Sequence, residues 1–249
     1  MTLELGLNLF SAREAMARDA DSTLATLAEI GYRNVELAGY YGHEPSAFHD
    51  LLTKHGLRAV AAHVPIDRFE NELETVIVEA KMFGMHSLVV PWLSEEQRTP
   101  QFVRKLPIKL NAWGEEVVKA GMRLAWHNHE FEYEIRVDER TMMNLLLADT
   151  HPDYVDFEPD FNQIARAGVD PLTELREMHP RVRLAHAKDA AADGSTVNVG
   201  RGIIDWQAIV ATSRENMLDY LIIEHNQPDD IRADLGESLA YLEGLLSAG

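Results

Sequence analysis

Cysteine is absent from the chain. Disulfides and thiolate metal ligation are therefore excluded. Any bound metal must be held by Asp, Glu, His, Asn or Gln, a donor set that suits Mg, Mn, Co, Ni or Zn. Basic residues are few: 23 Lys and Arg stand against 41 Asp and Glu, for a net charge of −18. Such an acidic surface repels nucleic-acid phosphates and anionic membranes at long range, so neither is expected as a partner. No apolar run is long enough to span a membrane, and Met1–Gly6 shows no charged leader ahead of a long apolar stretch. A cytoplasmic location is the expectation. A G-x-G-x-x-G following an early strand is also missing, which removes the commonest dinucleotide-binding open sheet. There is no Pro/Gly/Ser-rich linker and no low-complexity segment, so residues 1–249 are read as one domain.

What is present is a repeat. Short apolar, β-branched runs recur about every 30 residues, the spacing of a βα unit. They are Leu3–Leu9, Asn34–Leu37, Ala59–Val64, Ser87–Pro91, Met122–Trp126, Tyr154–Phe157, Val182–Ala187 and Tyr220–Ile223. Amphipathic stretches lie between them. Leu24, Leu27, Ala28 and Ile30 share one helical face, which Gly31 ends. Helical patterns ending at Gly56, Gly84 and Gly121 repeat the arrangement, and Leu235–Leu246 reads as a last helix. The length of 249 residues suits a single (β/α)₈ TIM barrel. Glu95–Pro107 and Asp193–Gly202 read as long loops following strands, on the face where such barrels carry their sites.

The strand ends are ionisable. In order they give Asn8, Glu36, His63, Trp92, His127 with His129, Asp160, His186 with Lys188, and Glu224. Buried strands have no structural need for such a set. Alternation places His127 and His129 on the face of Ala125, His186 and Lys188 on one face, and Glu224 in line with Ile222. Imidazoles and carboxylates converging on one point are relieved by a divalent cation, which would also polarise a substrate carbonyl or hydroxyl. Other positions admit two readings. Glu36 either serves the site or bonds a neighbouring backbone N–H, and Asp189 reads more as a cap for its loop. Arg201 either binds an anionic substrate group or is a solvated loop residue. Trp92 and Phe161 either wall a sugar ring or pack the core. Solvation accounts for most of Glu130, Glu132 and Glu134, although Glu132 can reach the site.

These residues resemble the xylose-isomerase-like barrel superfamily, the sugar phosphate isomerase/epimerase family, over nearly the whole chain. The likeness is carried by Glu29–Leu37, Ala62-His63, Trp126-His127-Asn128-His129-Glu130-Phe131-Glu132-Tyr133, Asp160 with Ala167–Pro171, Leu184–Asp189, Gly200–Trp206 and Ile223-Glu224-His225. The resemblance implies a divalent metal (Mn, Mg, Co or Zn) with one ligand from each of strands five to eight: His127, Asp160, His186 and Glu224. In many relatives strand five supplies a glutamate; here a histidine pair, His127 and His129, stands in its place. Asn162 stands where many members of the branch carry an aromatic.

The activity implied is isomerisation or epimerisation of a small sugar or polyol-derived ketone, by removal of a proton beside a carbonyl. Glu224 would double as base, while His63, His129, Lys188 and Glu36 orient hydroxyls or move protons. Trp92, Asn162 and Arg201 would contact substrate. The alternative is a metal-dependent lyase, either an inosose-type dehydratase or an enzyme cleaving 3-keto-glycosides. A non-catalytic sugar-binding barrel and a DNA-repair endonuclease of the same superfamily fit less well. Homo-oligomerisation is left open.

Overall fold

The computed structural model describes residues 3–248. Eight parallel strands form its centre: β1 (Glu4–Asn8), β2 (Asn34–Leu37), β3 (Arg58–His63), β4 (Ser87–Val90), β5 (Arg123–His127), β6 (Val155–Glu158), β7 (Leu184–Ala187) and β8 (Tyr220–Ile223). Strands β1 to β6 pair in sequence order, and β8 lies between β1 and β7. β6 and β7 meet only through isolated bridges, Phe157 to Val182 and Asp160 to His186, which close the ring. The chain forms the TIM barrel that the repeat predicts. β2 and β8 coincide with the expected runs, and the other strands shift by one or two residues at an end.

Two apolar layers explain why these runs are strands. Leu7, Val35, Leu88, Leu124, Trp126, Phe157, Leu221 and Ile223 face outward into the main core beneath the helices. Val60, Val89, Ala125, Leu184 and Ile222 face inward and plug the barrel. Burying each large aliphatic side chain contributes about 1.5–3 kcal/mol. Above the plug, alternation brings the next inward residues to the C-terminal rim: His127 after Ala125, His186 after Leu184, Glu224 after Ile222.

β3 departs from simple alternation. Its register against β2 runs Val35 with Ala59, then Glu36 with Ala61, skipping Val60. Val60 and Ala61 both belong to the inner cluster, while Ala59 and Ala62 belong to the outer one. This bulge turns His63 inward; unbroken alternation from Ala59 would turn it out.

Helices cover the strands as expected. Leu73–Phe83 ends at Gly84, whose left-handed conformation (φ 68°) is the reason a glycine is required there. The last helix is longer than expected, Ile231–Ala248. The two long loops carry structure of their own. The first contains the 3₁₀ turn Glu95–Gln97 and the short helix Pro100–Val103. The second pairs Thr196–Val197 with Asp189–Ala190. Among the described residues, no helix is long and apolar enough to cross a membrane.

The helix Leu106–Lys119 packs on the barrel through Gly114, where an added Cβ would lie 2.4 Å from the Tyr154 carbonyl oxygen. That contact is with backbone and cannot be relieved by a rotamer change. Gly114→Ala should therefore lower the unfolding free energy by about 1–3 kcal/mol. Urea denaturation checks this; an unchanged midpoint would show that helix and strand are not in such close contact.

Candidate metal centre

The inward rim residues meet in one buried cluster. His186 is its hub: Nδ1 lies 2.6 Å from Glu224 Oε2, and Nε2 lies 2.7 Å from Glu36 Oε2 and 3.4 Å from Glu158 Oε2. His63 Nε2 approaches Glu158 Oε2 at 2.8 Å and Glu36 Oε2 at 3.4 Å. His127 Nδ1 is 3.1 Å from Glu158 Oε2. Lys188 Nζ donates to Glu224 Oε1 at 2.9 Å and sits 3.3 Å from Asp160 Oδ2. Asn8 fixes Glu36 by donating from Nδ2 at 2.7 Å.

Neighbouring loops hold these groups in place. Asp160 caps the helix Phe161–Arg166 through Oδ1, which accepts from the Gln163 N–H, and so turns Oδ2 toward the cluster. Its own N–H donates to Asn128 Oδ1 at 3.0 Å, tying the β5 loop to the β6 loop. Glu132 accepts from the His129 N–H at 2.7 Å and from the Trp126 indole at 3.2 Å. It is therefore a latch folding the His127–His129 segment back onto β5, and burial pushes its carboxyl up to about 8. Asp189 gathers the N–H groups of Ala190, Gly200 and Gly202 and the Trp206 indole at 2.8–3.0 Å. This is the loop-capping role that its sequence position suggests.

Charge in the cluster is strongly coupled. Burial disfavours the imidazolium of His186, yet Glu158, Glu36 and Glu224 together raise it well above the ordinary histidine range. His63 is raised in the same way by Glu36 and Glu158 against burial. Burial opposes ionisation of Glu158 and Glu224, but His186 and His63 hold the first, and Lys188 and His186 the second, well below the carboxylate range. Glu36 moves the other way, raised by burial and by the charge on Glu158. His129 falls to about 2, through burial and then through its neighbours His127 and Lys188, and is a neutral imidazole at any ordinary pH.

The donor set suits a divalent cation. Glu36 Oε1, Glu158 Oε1 and Asp160 Oδ2 are buried oxygens without a hydrogen-bond partner. Buried carboxylate oxygens that accept no hydrogen bond are costly, and a hard cation is the natural partner for them. Two overlapping groups bring their ligand atoms within 4.8 Å of one another: His127, Asp160, His186 and Glu224, and His63, His127, Glu158 and His186.

A cavity of about 530 Å³ opens over the cluster. His63, His127, His129 and Glu224 form its floor, with Phe10, Ala38, Gly39, Pro65, Pro91 and Trp92 as walls. Trp92 packs edge-on against His129, with centroids 4.7 Å apart, and the Arg98 guanidinium lies 4.1 Å over its ring.

The residues singled out from sequence therefore fall into three groups. Glu36, His63, His127, Asp160, His186, Lys188 and Glu224 converge in the cluster, and His129 and Trp92 border the cavity above it. Asn162 is buried beside it, its Nδ2 donating to the Asp189 carbonyl at 2.7 Å and its Oδ1 unpartnered, but it does not line the cavity. Arg201 stands apart: its side chain is 69% exposed and pairs with Glu237 on the last helix. The reading of Arg201 as an anion binder is not supported by this placement. Glu158 lies one residue beyond the apolar run Tyr154–Phe157 and is the last residue of β6. Outward Val155 and Phe157 alternate with Asp156 and Glu158, and that alternation is the signal that finds it.

Comparison with known proteins agrees with this architecture. A family model for xylose isomerase-like TIM barrels matches residues 24–245. A sugar phosphate isomerase/epimerase from Parabacteroides distasonis superposes with a TM-score of 0.83 at 21% identity, covering 97% of this chain and 98% of its own. A xylose isomerase-like TIM barrel protein from Mycobacterium smegmatis, in complex with magnesium, gives 0.77 at 16% identity, with coverage of 99% and 97%. A probable 3-DHS dehydratase from Bacillus anthracis, involved in petrobactin synthesis, gives 0.71 at 15%, with coverage of 98% and 99%. At these identities the likeness is one of fold. Among curated proteins, none matches the chain.

Two outcomes are expected. Because His186 and His63 are raised, their contribution to stability is complete below about 6.5, the ordinary histidine value, and is lost as pH climbs through their folded values. Because Glu158 and Glu224 are lowered, theirs is present above the ordinary carboxylate range and is lost in acid. The metal-free protein should then be most stable near pH 5–6.5 and weaken on the alkaline side, with a limiting slope of about 1.4 kcal/mol per pH unit for each proton retained. Urea midpoints measured in chelator from pH 5 to 9 check this, and a flat profile would contradict it. Separately, Glu132→Ala leaves two buried N–H donors unpaired and should cost about 2–4 kcal/mol, read by thermal or urea unfolding.

Proposed function

The chain belongs to the xylose isomerase-like TIM barrel family, and from that premise we propose that it is a divalent-metal-dependent isomerase or epimerase of a small sugar or polyol-derived ketone. The observation that carries this reading is the cluster itself. Four buried carboxylates, three of them with an oxygen that accepts no hydrogen bond, lie under a cavity large enough for a sugar. Of the two overlapping groups, His127, Asp160, His186 and Glu224 are the better ligands, because they supply two carboxylates to balance the charge of the ion. Bound there, a divalent ion supplies positive charge that stabilises the negative charge developing on substrate oxygen when a neighbouring carbon loses its proton.

The chain's own groups do the rest. Glu224 is the carboxylate of the cluster that borders the cavity, so it is the one placed to take a proton from substrate. Lys188 holds Glu224 and Asp160 in position and offsets their charge. His129 remains neutral, and its buried Nδ1 has no partner. It can exchange hydrogen bonds with a substrate hydroxyl without bringing charge to the site. Trp92 presents an indole face, 46% exposed, for the apolar side of a ring. A nucleic-acid substrate is disfavoured by the net charge of −18.

Asp160→Asn tests the ligand assignment while preserving the helix cap, since both residues cap well. It should weaken metal affinity by at least about 100-fold, in the range seen when metal sites lose a key group, with the circular dichroism spectrum unchanged. Wild-type metal content would remove Asp160 from the site. The reaction is tested by incubating metal-loaded protein with keto sugars and inososes in deuterated water. Deuterium gained beside the carbonyl with the carbon skeleton and its substituents retained is the expected result. An elimination product would assign the protein to the lyase reading instead, and saturable binding with neither exchange nor product would make it a sugar-binding barrel.

A further inference from the structure

The cavity above the cluster has a composition that restricts what can enter it. Its walls, Phe10, Ala38, Gly39, Pro65, Pro91 and Trp92, are apolar, and its floor is polar. No lysine or arginine is among the residues that line it. Cationic groups near the rim face other partners. Lys188 is buried against Glu224 and Asp160. Arg13 donates to the carbonyls of Phe10 and Asn226. Arg98 packs in the corner formed by the rings of Trp92 and Phe131, 4.1 and 4.0 Å from their centroids, with Nε donating to the Leu93 carbonyl. Arg201 is paired with Glu237.

Two consequences follow. A phosphate ester entering this cavity would meet no free counter-charge. Below it lie four buried carboxylates, and the surrounding protein is strongly acidic. The second consequence concerns the mouth. Phe10 and Trp92 remain 42% and 46% exposed, although large aromatics gain most from burial. A volume of about 530 Å³ falls among pockets that enclose ligands of drug size, roughly 300–1,000 Å³, and exceeds what one sugar ring fills.

We propose that the site takes an unphosphorylated ligand with two unlike ends: an oxygen-rich ring seated on the His63–His127–His129–Glu224 floor, and an apolar, ring-sized substituent held at the mouth by Phe10 and Trp92. This rests on the metal-dependent reading above and narrows its substrate class to neutral keto-glycosides or similarly substituted polyol ketones, away from sugar phosphates. Arg98, stacked on the outer face of Trp92, is the positioning residue that keeps the indole turned to the cavity.

The test uses the full-length, metal-loaded protein with phenyl β-glucoside, glucose and glucose 6-phosphate as probes. Trp92 is the one strongly exposed tryptophan among the described residues, since Trp113, Trp126 and Trp206 are buried. Its fluorescence therefore reports on the mouth directly, and calorimetry gives the affinities. Phenyl glucoside should bind at least tenfold more tightly than glucose and protect the indole from acrylamide quenching. Glucose 6-phosphate should bind no better than glucose, at low salt as well as high. Trp92→Ala should abolish the advantage of the phenyl group while leaving metal affinity unchanged. Arg98→Met should reduce that advantage severalfold, with Arg98→Lys restoring part of it. Tighter binding of the phosphate, equal binding of glucose and phenyl glucoside, or no binding of phenyl glucoside to a protein that holds its metal would overturn the proposal. Failure to bind metal at all would instead overturn the reading on which it rests, and metal titration separates the two.

Discussion

The contact on which the rest depends is the grip of the His186 ring on carboxylates from three other strands or their ends. One imidazole, fully buried, touches Glu36 from β2, Glu158 from β6 and Glu224 at the end of β8. Glu158 and Glu36 answer it, each reaching histidines on two or more other strands. The same residue makes the backbone bridge to Asp160 that helps close the barrel. Charge compensation at the site and closure of the sheet therefore meet at one position. An imidazole is suited to this because two nitrogens on opposite edges of a rigid ring can each address an acceptor.

The apolar plug beneath the rim makes that grip strong. Val60, Val89, Ala125, Leu184 and Ile222 exclude solvent from below, and outward side chains seal the strands against the helices. In such surroundings electrostatic interactions are weakly screened, so the carboxylates and histidines shift one another far from their ordinary behaviour. Polar rim and apolar plug are products of the same alternation. β5, β7 and β8 each send an aliphatic residue into the barrel and an ionisable one in two residues later, so there the polar layer is built directly on the packing layer.

Much of this was legible in the sequence, for reasons that differ by residue. The barrel was visible because βα repetition is a long-period signal to which every strand contributes. His127, His186 and Glu224 were visible because inward alternation from Ala125, Leu184 and Ile222 is regular. His63 faces inward only because of the bulge at Val60, and a string of alanine and valine gives no sign of a skipped register. Glu158 is hard to see because the apolar run of β6 ends at Phe157, one residue short of the strand. Arg201 carries a guanidinium that suits an anion, but its partner Glu237 lies on a helix brought near only by the fold. Glu132 sits in an acidic stretch that reads as solvated, and its role as a latch depends on the loop doubling back over Trp126.

The seam between β6 and β7 gives the barrel an unequal circumference. Every other neighbouring pair of strands shares a ladder, whereas this pair is joined at two points separated by the run from Phe157 to Asp160. The ring resembles a hoop with one clasp, and the clasp is made of residues that belong to the site. Local opening would begin where Asp160 and His186 part, well before the helical layer melts. The seam and the site would then loosen together, while the helical layer is still whole.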